Sequence, residues 1–264
     1  MSGCRIFQPL QAHVRYPRHQ TRSSILNAAM AAPATLRVRQ RNYERTLEVF
    51  SLALGVGYLA ALPAYPYLAS PIIKGLSIAV LAILPWLLRP VTNRRDAGML
   101  SAALVASSIG DVFLDVGPER LFVPGLGAFL AAHIVYTILF LKNPTQSTGK
   151  GLSRRFGQAG VGVYAIAFAL WLAPSLGPLK IPVALYIGAI TAMVIFAIRS
   201  RFGWRVASGA LLFMVSDSLL AVAKFKTPFT GRDYLVWGTY YAAQCLIATG
   251  ALRGLQKRIN YAVP

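Results

Sequence analysis

Residues 97–114 read AGMLSAALVASSIGDVFL, an apolar run that is interrupted near its end by a single acid, Asp111. Its length is close to the roughly 20 residues that a helix needs to cross the hydrocarbon core of a bilayer. Comparable runs lie at residues 46–62, 71–88, 121–141, 156–173, 180–198, 204–223 and 234–252. We therefore predict an all-α fold, a polytopic membrane helix bundle of about eight transmembrane helices.

The composition of the whole chain points to the same class of protein. Of its 264 residues, 56% are hydrophobic and 13% are charged, and the mean hydropathy is +0.54. Soluble domains hold roughly 25% charged residues. An ordinary water-soluble enzyme is therefore excluded.

Lysine and arginine outnumber aspartate and glutamate by 27 to 8, which gives a formal net charge of +19. A nucleic-acid-binding protein gathers such charge in a patch on a polar domain, whereas these basic residues lie at the ends of apolar runs. After residue 45, the predicted loops place 13 basic residues on the side of the N-terminal tail and six on the other side. Cytoplasmic loops of membrane proteins are rich in Lys and Arg. We predict that both termini are cytoplasmic and that the chain binds no nucleic acid.

The two ends of the chain differ from the apolar region between them. Residues 1–45 contain seven Arg before the first acid, Glu44. Such a segment is typical of a disordered basic tail near an anionic membrane surface or of an organelle-targeting peptide. We predict a basic, disordered tail over residues 1–45, one eight-helix transmembrane domain over 46–253 and a short basic tail over 254–264.

Two acids lie inside the predicted helices. Asp111 is about 14 residues into the third run and Asp217 about 13 residues into the seventh, so both lie roughly 20 Å from the cytoplasmic end at 1.5 Å per residue. Ionisable side chains are costly in a bilayer and usually face the bundle interior, where they serve a function. A close pair of carboxyl groups can supply a general acid and a general base together. The alternative for this pair is an ion or proton path.

Four other polar side chains are expected near the membrane depth of Asp111 and Asp217, namely Lys74, His133, Tyr240 and Gln244. Tyr240 and Gln244 are four residues apart and so share one helix face. Three of these residues also have a structural interpretation: His133 as a hydrogen-bonded interior histidine, Tyr240 as a bond between helices, and Lys74 as a side chain that reaches the headgroups. Asp115 is expected at the membrane interface.

The residues do not favour a metal centre. His133 is the one histidine among the apolar runs, because His13 and His19 lie in the tail. A catalytic zinc site usually has three protein ligands, mostly His or Cys. The sequence therefore predicts no metal and no cofactor.

Four stretches around these residues resemble the YhhN family of integral-membrane lysoplasmalogenases. They are Ser107-Ser-Ile-Gly-Asp111-Val-Phe-Leu114, Phe129-Leu-Ala-Ala-His133-Ile-Val-Tyr136, Phe213-Met-Val-Ser-Asp217-Ser-Leu-Leu220 and Tyr240-Tyr-Ala-Ala-Gln244-Cys-Leu-Ile247. Their order and spacing are similar to the family's from about residue 46 to residue 252. Lys74 is similar to the family's lysine in the second helix, whereas the proline expected after it is Gly75 in this chain.

The resemblance implies hydrolysis of the vinyl ether bond of a lysoplasmalogen, with a fatty aldehyde and glycerophosphoethanolamine or glycerophosphocholine as products. It implies Asp111 and Asp217 as the catalytic pair. The substrate-binding residues that it implies are Lys74, His133, Tyr240 and Gln244. A lysophospholipid would be the substrate, with membrane lipids around the protein in the endoplasmic reticulum or another cell membrane.

From the residues alone, two other classes of function stay open. One is an ion-coupled transporter in which the two acids form the coupling site. The other is a non-catalytic lipid-binding membrane protein in which the acids only fasten helices together. The oligomeric state also stays open.

Overall fold

The computed structural model describes residues 34–87, 93–145 and 151–260, and these form eight α-helices. In chain order they are α1 (Ala34–Ala61), α2 (Ser70–Leu87), α3 (Arg94–Val116), α4 (Phe122–Leu141), α5 (Gly151–Leu172), α6 (Lys180–Arg199), α7 (Trp204–Phe225) and α8 (Arg232–Asn260). No β-strand occurs in the described ranges, only an isolated bridge between Pro144 and Ser200. The predicted all-α fold is confirmed.

Each predicted apolar run corresponds to one helix, but the first and last helices are longer than their runs. α1 begins at Ala34 and α8 continues to Asn260. Arg, Gln and Glu favour helical backbone nearly as well as Leu does, so a helix can continue beyond the apolar length that crosses a bilayer. The remaining parts of the predicted tails, residues 1–33 and 261–264, lie outside the described residues.

Seven of the helices in the described ranges, α1 to α7, are long and apolar enough to cross a membrane. The chain is thus a multi-pass membrane protein. α8 is more polar because its central turns hold Tyr240, Tyr241 and Gln244. Those side chains are buried, since α8 packs against α7, α3 and α2. A helix with protein neighbours on these faces does not need an apolar surface there.

The packing order brings four helices together around one interior. α2 packs against α3, α3 against α4 and α7 against α8, and each of these pairs is consecutive in sequence. In addition, α4 contacts α6 and α3 contacts α8. The inward faces of α3, α4, α7 and α8 therefore share one core. Tyr136, Phe140 and Phe213 are the largest side chains that are almost fully buried there. The described residues from Asn42 onward form a single compact unit that contains every candidate residue.

α7 and α8 approach closely at Gly209. A Cβ atom at this position would lie 2.9 Å from the backbone carbonyl oxygen of Ala243. Backbone cannot move aside as a flexible side chain can, so we expect Gly209→Ala to lower the free energy of unfolding by about 1–3 kcal/mol. Thermal unfolding in detergent measures this change.

Gly188→Ala on α6 is the matched control. Nothing lies within 4 Å of a Cβ atom at Gly188, and alanine is the better helix former. We expect this variant to be as stable as the parent or slightly more so. An equal loss of stability in both variants would contradict the close packing of α7 on α8.

Candidate functional site

Asp111 lies in the bundle interior on α3 and is 3% exposed. Its Oδ2 atom accepts a hydrogen bond of 2.6 Å from the Tyr240 hydroxyl. Gln244 Nε2 donates to the Tyr240 oxygen at 3.3 Å, and the Tyr136 hydroxyl donates to Gln244 Oε1 at 2.8 Å. Every donor in this chain of bonds is directed toward the carboxyl group. Residues from α4 and α8 therefore hold Asp111 in one position.

Asp217 lies on α7, and its side chain is 15% exposed. Its Oδ2 atom accepts a hydrogen bond of 2.6 Å from the Tyr186 hydroxyl of α6. The Nε2 atom of His133 lies 3.9 Å from the same oxygen. His133 is fully buried, and within the described residues neither ring nitrogen has a hydrogen-bond partner. It therefore differs from a hydrogen-bonded interior histidine.

An aromatic cluster joins the surroundings of the two acids. The Phe213 ring packs against Tyr240 at 5.2 Å and against His133 at 4.8 Å between ring centroids. Phe129 packs against Tyr240 at 5.7 Å. Within the described ranges no hydrogen bond joins the two carboxyl groups. The Phe213 ring thus packs against one neighbour of each acid.

An apolar cleft adjoins Asp217 between α4, α5, α6 and α7. Of the described residues that line it, Asp217 is the one carboxyl side chain, and Tyr164, which is 44% exposed, marks where the cleft reaches the bundle surface. Its apolar walls include Leu126, Phe129, Phe168, Ile187, Ile190 and Met214. Ligand pockets are lined mostly by apolar and aromatic side chains, and this lining suits a hydrocarbon chain.

Among the sequence candidates, Asp217 alone lines this cleft. Asp111, His133, Tyr240 and Gln244 lie behind its wall, in the interior of the bundle.

A second polar group, here termed the Lys74 cluster, consists of Lys74, Asp115, Tyr58, Ser70 and Trp237. Lys74 Nζ lies 3.6 Å from Asp115 Oδ1 and over the rings of Tyr58 and Trp237, at 5.5 and 5.7 Å from their centroids. The Tyr58 hydroxyl donates to Asp115 at 2.9 Å, and the Ser70 hydroxyl donates to its other oxygen. Lys74 thus turns inward, toward a buried carboxyl group.

Gly75 explains how Lys74 comes so close to α3. A Cβ atom at Gly75 would lie 2.6 Å from a methyl carbon of Val112, and the Ser108 hydroxyl donates to the Gly75 carbonyl oxygen at 2.7 Å. The glycine found in place of the expected proline therefore lets α2 pack tightly on α3. This contact brings Lys74 to Asp115.

Two residues of the site were not among the sequence candidates. Asp115, which was expected at the membrane interface, lies one residue before the end of α3 and is buried between helices at 8% exposure. The available signal was its spacing of four residues from Asp111, which places both carboxyl groups on one face of α3. The rise per residue places Tyr186 near the depth of the two acids, but a tyrosine in a membrane helix more often only bonds one helix to another.

The donor set at the site favours proton transfer. Within the described part of the chain, no three His, Cys, Asp or Glu side chains gather where they could hold a metal ion. The groups at or beside the cleft are a carboxyl group, a phenol and an imidazole, with a second carboxyl group across the aromatic cluster. Such groups can supply and accept protons.

Comparison with known proteins places the chain among related membrane proteins. Residues 69–251 match the model of the YhhN family. The chain is 35% identical to human lysoplasmalogenase TMEM86B over 69% of this chain and 75% of that protein. It is 33% identical to a lysoplasmalogenase of Mycobacterium bovis over 71% of this chain and 72% of the relative. It is 32% identical to lysoplasmalogenase TMEM86A of Bos taurus over 63% of this chain and 70% of that protein. No solved structure matches the chain.

Proposed function

This chain belongs to the YhhN family, and we propose that it is a membrane-embedded lysoplasmalogenase that hydrolyses the vinyl ether bond of lysoplasmalogens by acid–base catalysis. The products are a fatty aldehyde and glycerophosphoethanolamine or glycerophosphocholine. The names of the relatives support the reaction. The observation that carries the mechanism is the position of Asp217, an acid bonded to Tyr186 at the wall of an apolar cleft.

The cleft supports one orientation of the substrate. The alkenyl chain occupies the apolar space between α4, α5, α6 and α7. The vinyl ether is at the polar end of that chain and therefore lies beside Asp217. The glycerol backbone then points across the aromatic cluster toward Asp111.

Hydrolysis begins with protonation of a carbon atom of the vinyl ether. Asp217 in its acid form gives its proton to the alkenyl carbon that is not bonded to oxygen, and the electron pair of the double bond forms the new C–H bond. The positive charge is shared between the neighbouring carbon and the ether oxygen. We assign this step to Asp217 because it lines the cleft and Asp111 does not. The Tyr186 hydroxyl stabilises the carboxylate that results.

Asp111 completes the reaction with water. As a carboxylate it accepts a proton from the water that attacks the cationic carbon, which gives a hemiacetal. The hemiacetal hydroxyl then returns a proton to Asp217, the bond to the glycerol oxygen breaks, and that oxygen takes the proton from Asp111. One water is consumed, and both acids regain their starting forms.

Tyr240 has a positioning role in this scheme, since its hydroxyl donates to Asp111. A hydrogen bond to a charged group is worth about 1.5–3 kcal/mol, so we expect Tyr240→Phe to lower kcat about 10- to 100-fold. Tyr241→Phe is the matched control, because that hydroxyl bonds to Ser51 at 2.8 Å, away from both acids. Steady-state aldehyde release measures both, and an unchanged kcat in Tyr240→Phe would remove the positioning role.

The proposed function is tested with the purified chain in detergent. We expect aldehyde release from lysoplasmenylethanolamine and none from the matched lysolipid with a saturated ether chain, which cannot form the cation by protonation of carbon. Absence of aldehyde from the vinyl ether substrate, in a preparation that unfolds cooperatively on heating, would overturn the proposal.

A further inference from the structure

The Lys74 cluster is a charged site beside Asp111 that the proton transfers above do not use. We propose, building on the proposed function, that it is a receptor for a zwitterionic phosphoethanolamine headgroup, in which Lys74 binds the phosphate and Asp115 binds the ammonium. Asp115 is then the residue that sets headgroup specificity. The chemical class of substrate that it selects carries a primary amine.

Lys74 has the features of an anion receptor. Its side chain is 17% exposed, and within the described ranges no acceptor lies at hydrogen-bond distance from its Nζ atom. The 3.6 Å separation from Asp115 is longer than the roughly 2.7–2.9 Å of a charge-assisted hydrogen bond. An ammonium group has three donors. Lys74 can therefore turn to a phosphate without breaking a short bond.

Asp115 has acceptor capacity left for a cation. Its side chain is 2% exposed, and its two oxygens accept bonds from the Tyr58 and Ser70 hydroxyls. A carboxylate offers about four acceptor sites, so sites remain for the N–H groups of a primary ammonium. The rings of Tyr58 and Trp237, which now face the Lys74 ammonium, can face the ligand cation in the same way. A choline group has no N–H donor and makes fewer of these contacts.

Charge balance favours the exchange. The Lys74–Asp115 pair is neutral as a pair, and so is a phosphoethanolamine group. When the headgroup binds, the phosphate pairs with Lys74 and the ammonium pairs with Asp115. No unpaired charge is left in the buried site, where it would be costly.

The order of the sites along the bundle matches the order of groups in the substrate. The apolar cleft adjoins Asp217, Phe213 packs between His133 and the Tyr240 that bonds to Asp111, and Asp115 of the Lys74 cluster follows Asp111 on α3. Asp115 lies one helical turn, roughly 6 Å, from Asp111 on α3. The Trp237 ring lies 5.5 Å from the Tyr240 ring that holds Asp111. Chain, vinyl ether, glycerol, phosphate and ammonium follow the same sequence.

The test compares two substrates in the whole chain, alkenylglycerophosphoethanolamine and the amine-free alkenylglycerophosphate. We expect Asp115→Asn to raise KM for the ethanolamine substrate about tenfold or more. The KM for the amine-free substrate and both kcat values should stay within about twofold. Asp96→Asn, a buried acid bonded to Asn143, should change neither KM. If Asp115→Asn changed KM equally for the two substrates, or changed neither KM, the proposal would be overturned.

Product inhibition of the unmodified protein provides a test that does not depend on the folding of a variant. Glycerophosphoethanolamine should inhibit aldehyde release at a concentration about tenfold lower than glycerol 3-phosphate. Equal inhibition by the two compounds would overturn the headgroup receptor. Failure of the proposed function gives a different result, namely no aldehyde from either substrate. Calorimetric binding of glycerophosphoethanolamine to the parent and to Asp115→Asn then tests the receptor independently.

Discussion

Asp217→Asn and Asp111→Asn should each reduce aldehyde release from lysoplasmenylethanolamine by about 10²–10⁴-fold, the usual contribution of a general acid or base. An amide has no acidic proton to give to the alkenyl carbon and is a poor acceptor for the proton of attacking water. Both variants keep the size of the side chain. An Asn at either position still accepts the hydrogen bond from Tyr186 or Tyr240, so the bundle should stay folded.

The control for these variants is an acid that is equally buried but lies elsewhere. Asp96 is 4% exposed and accepts a hydrogen bond of 3.1 Å from Asn143, near the opposite end of α3 from the Lys74 cluster. Asp96→Asn should retain the parent kcat. If Asp111→Asn and Asp217→Asn both turned over substrate at the parent rate, the two-acid mechanism would be eliminated.

A bulky side chain placed in the apolar cleft should produce the second largest loss of activity. Ala221 lies on α7, one turn after Asp217, and lines the apolar space. An alkenyl chain in a membrane is already in apolar surroundings, so the cleft acts by holding the chain in position more than by removing it from water. A displacement of about 1 Å can cost about 100-fold in rate. We therefore expect Ala221→Phe to lower kcat/KM for long-chain substrates about 10- to 100-fold.

Ala167→Phe is the matched control for the cleft variant, because Ala167 lies on the exposed face of α5 and does not line the cleft. It should leave kcat/KM unchanged. A substrate with a short alkenyl chain should lose less activity in Ala221→Phe than a long-chain substrate. Parent-like hydrolysis of long chains by Ala221→Phe would remove the cleft from the mechanism.

The helices could be predicted from the sequence because a bilayer imposes one length scale on apolar segments. The run that contains Asp111 and the run that contains Asp217 each became one helix, and the rise per residue gave their expected depth. The pairing of Tyr240 with Gln244 followed from their spacing of four.

Contacts between helices could not be predicted in the same way, because they depend on how each helix is rotated about its axis. α4 and α6 are apolar on nearly every face, so hydropathy does not indicate which face turns inward. The bond from Tyr186 to Asp217 depends on that rotation. The pairing of Lys74 with Asp115 depends on the close approach at Gly75, which replaces a residue expected to be proline.

The opening of the cleft at Tyr164 has a consequence for how the reaction rate should be expressed. A substrate that enters from the side never leaves the leaflet, so its supply depends on its mole fraction among the lipids and not on its amount per volume of buffer. Mixing the substrate with an inert phospholipid in vesicles, at constant total substrate, should slow aldehyde release in proportion to this surface dilution. The two products then separate by solubility, the aldehyde into the leaflet and the phosphodiester into water.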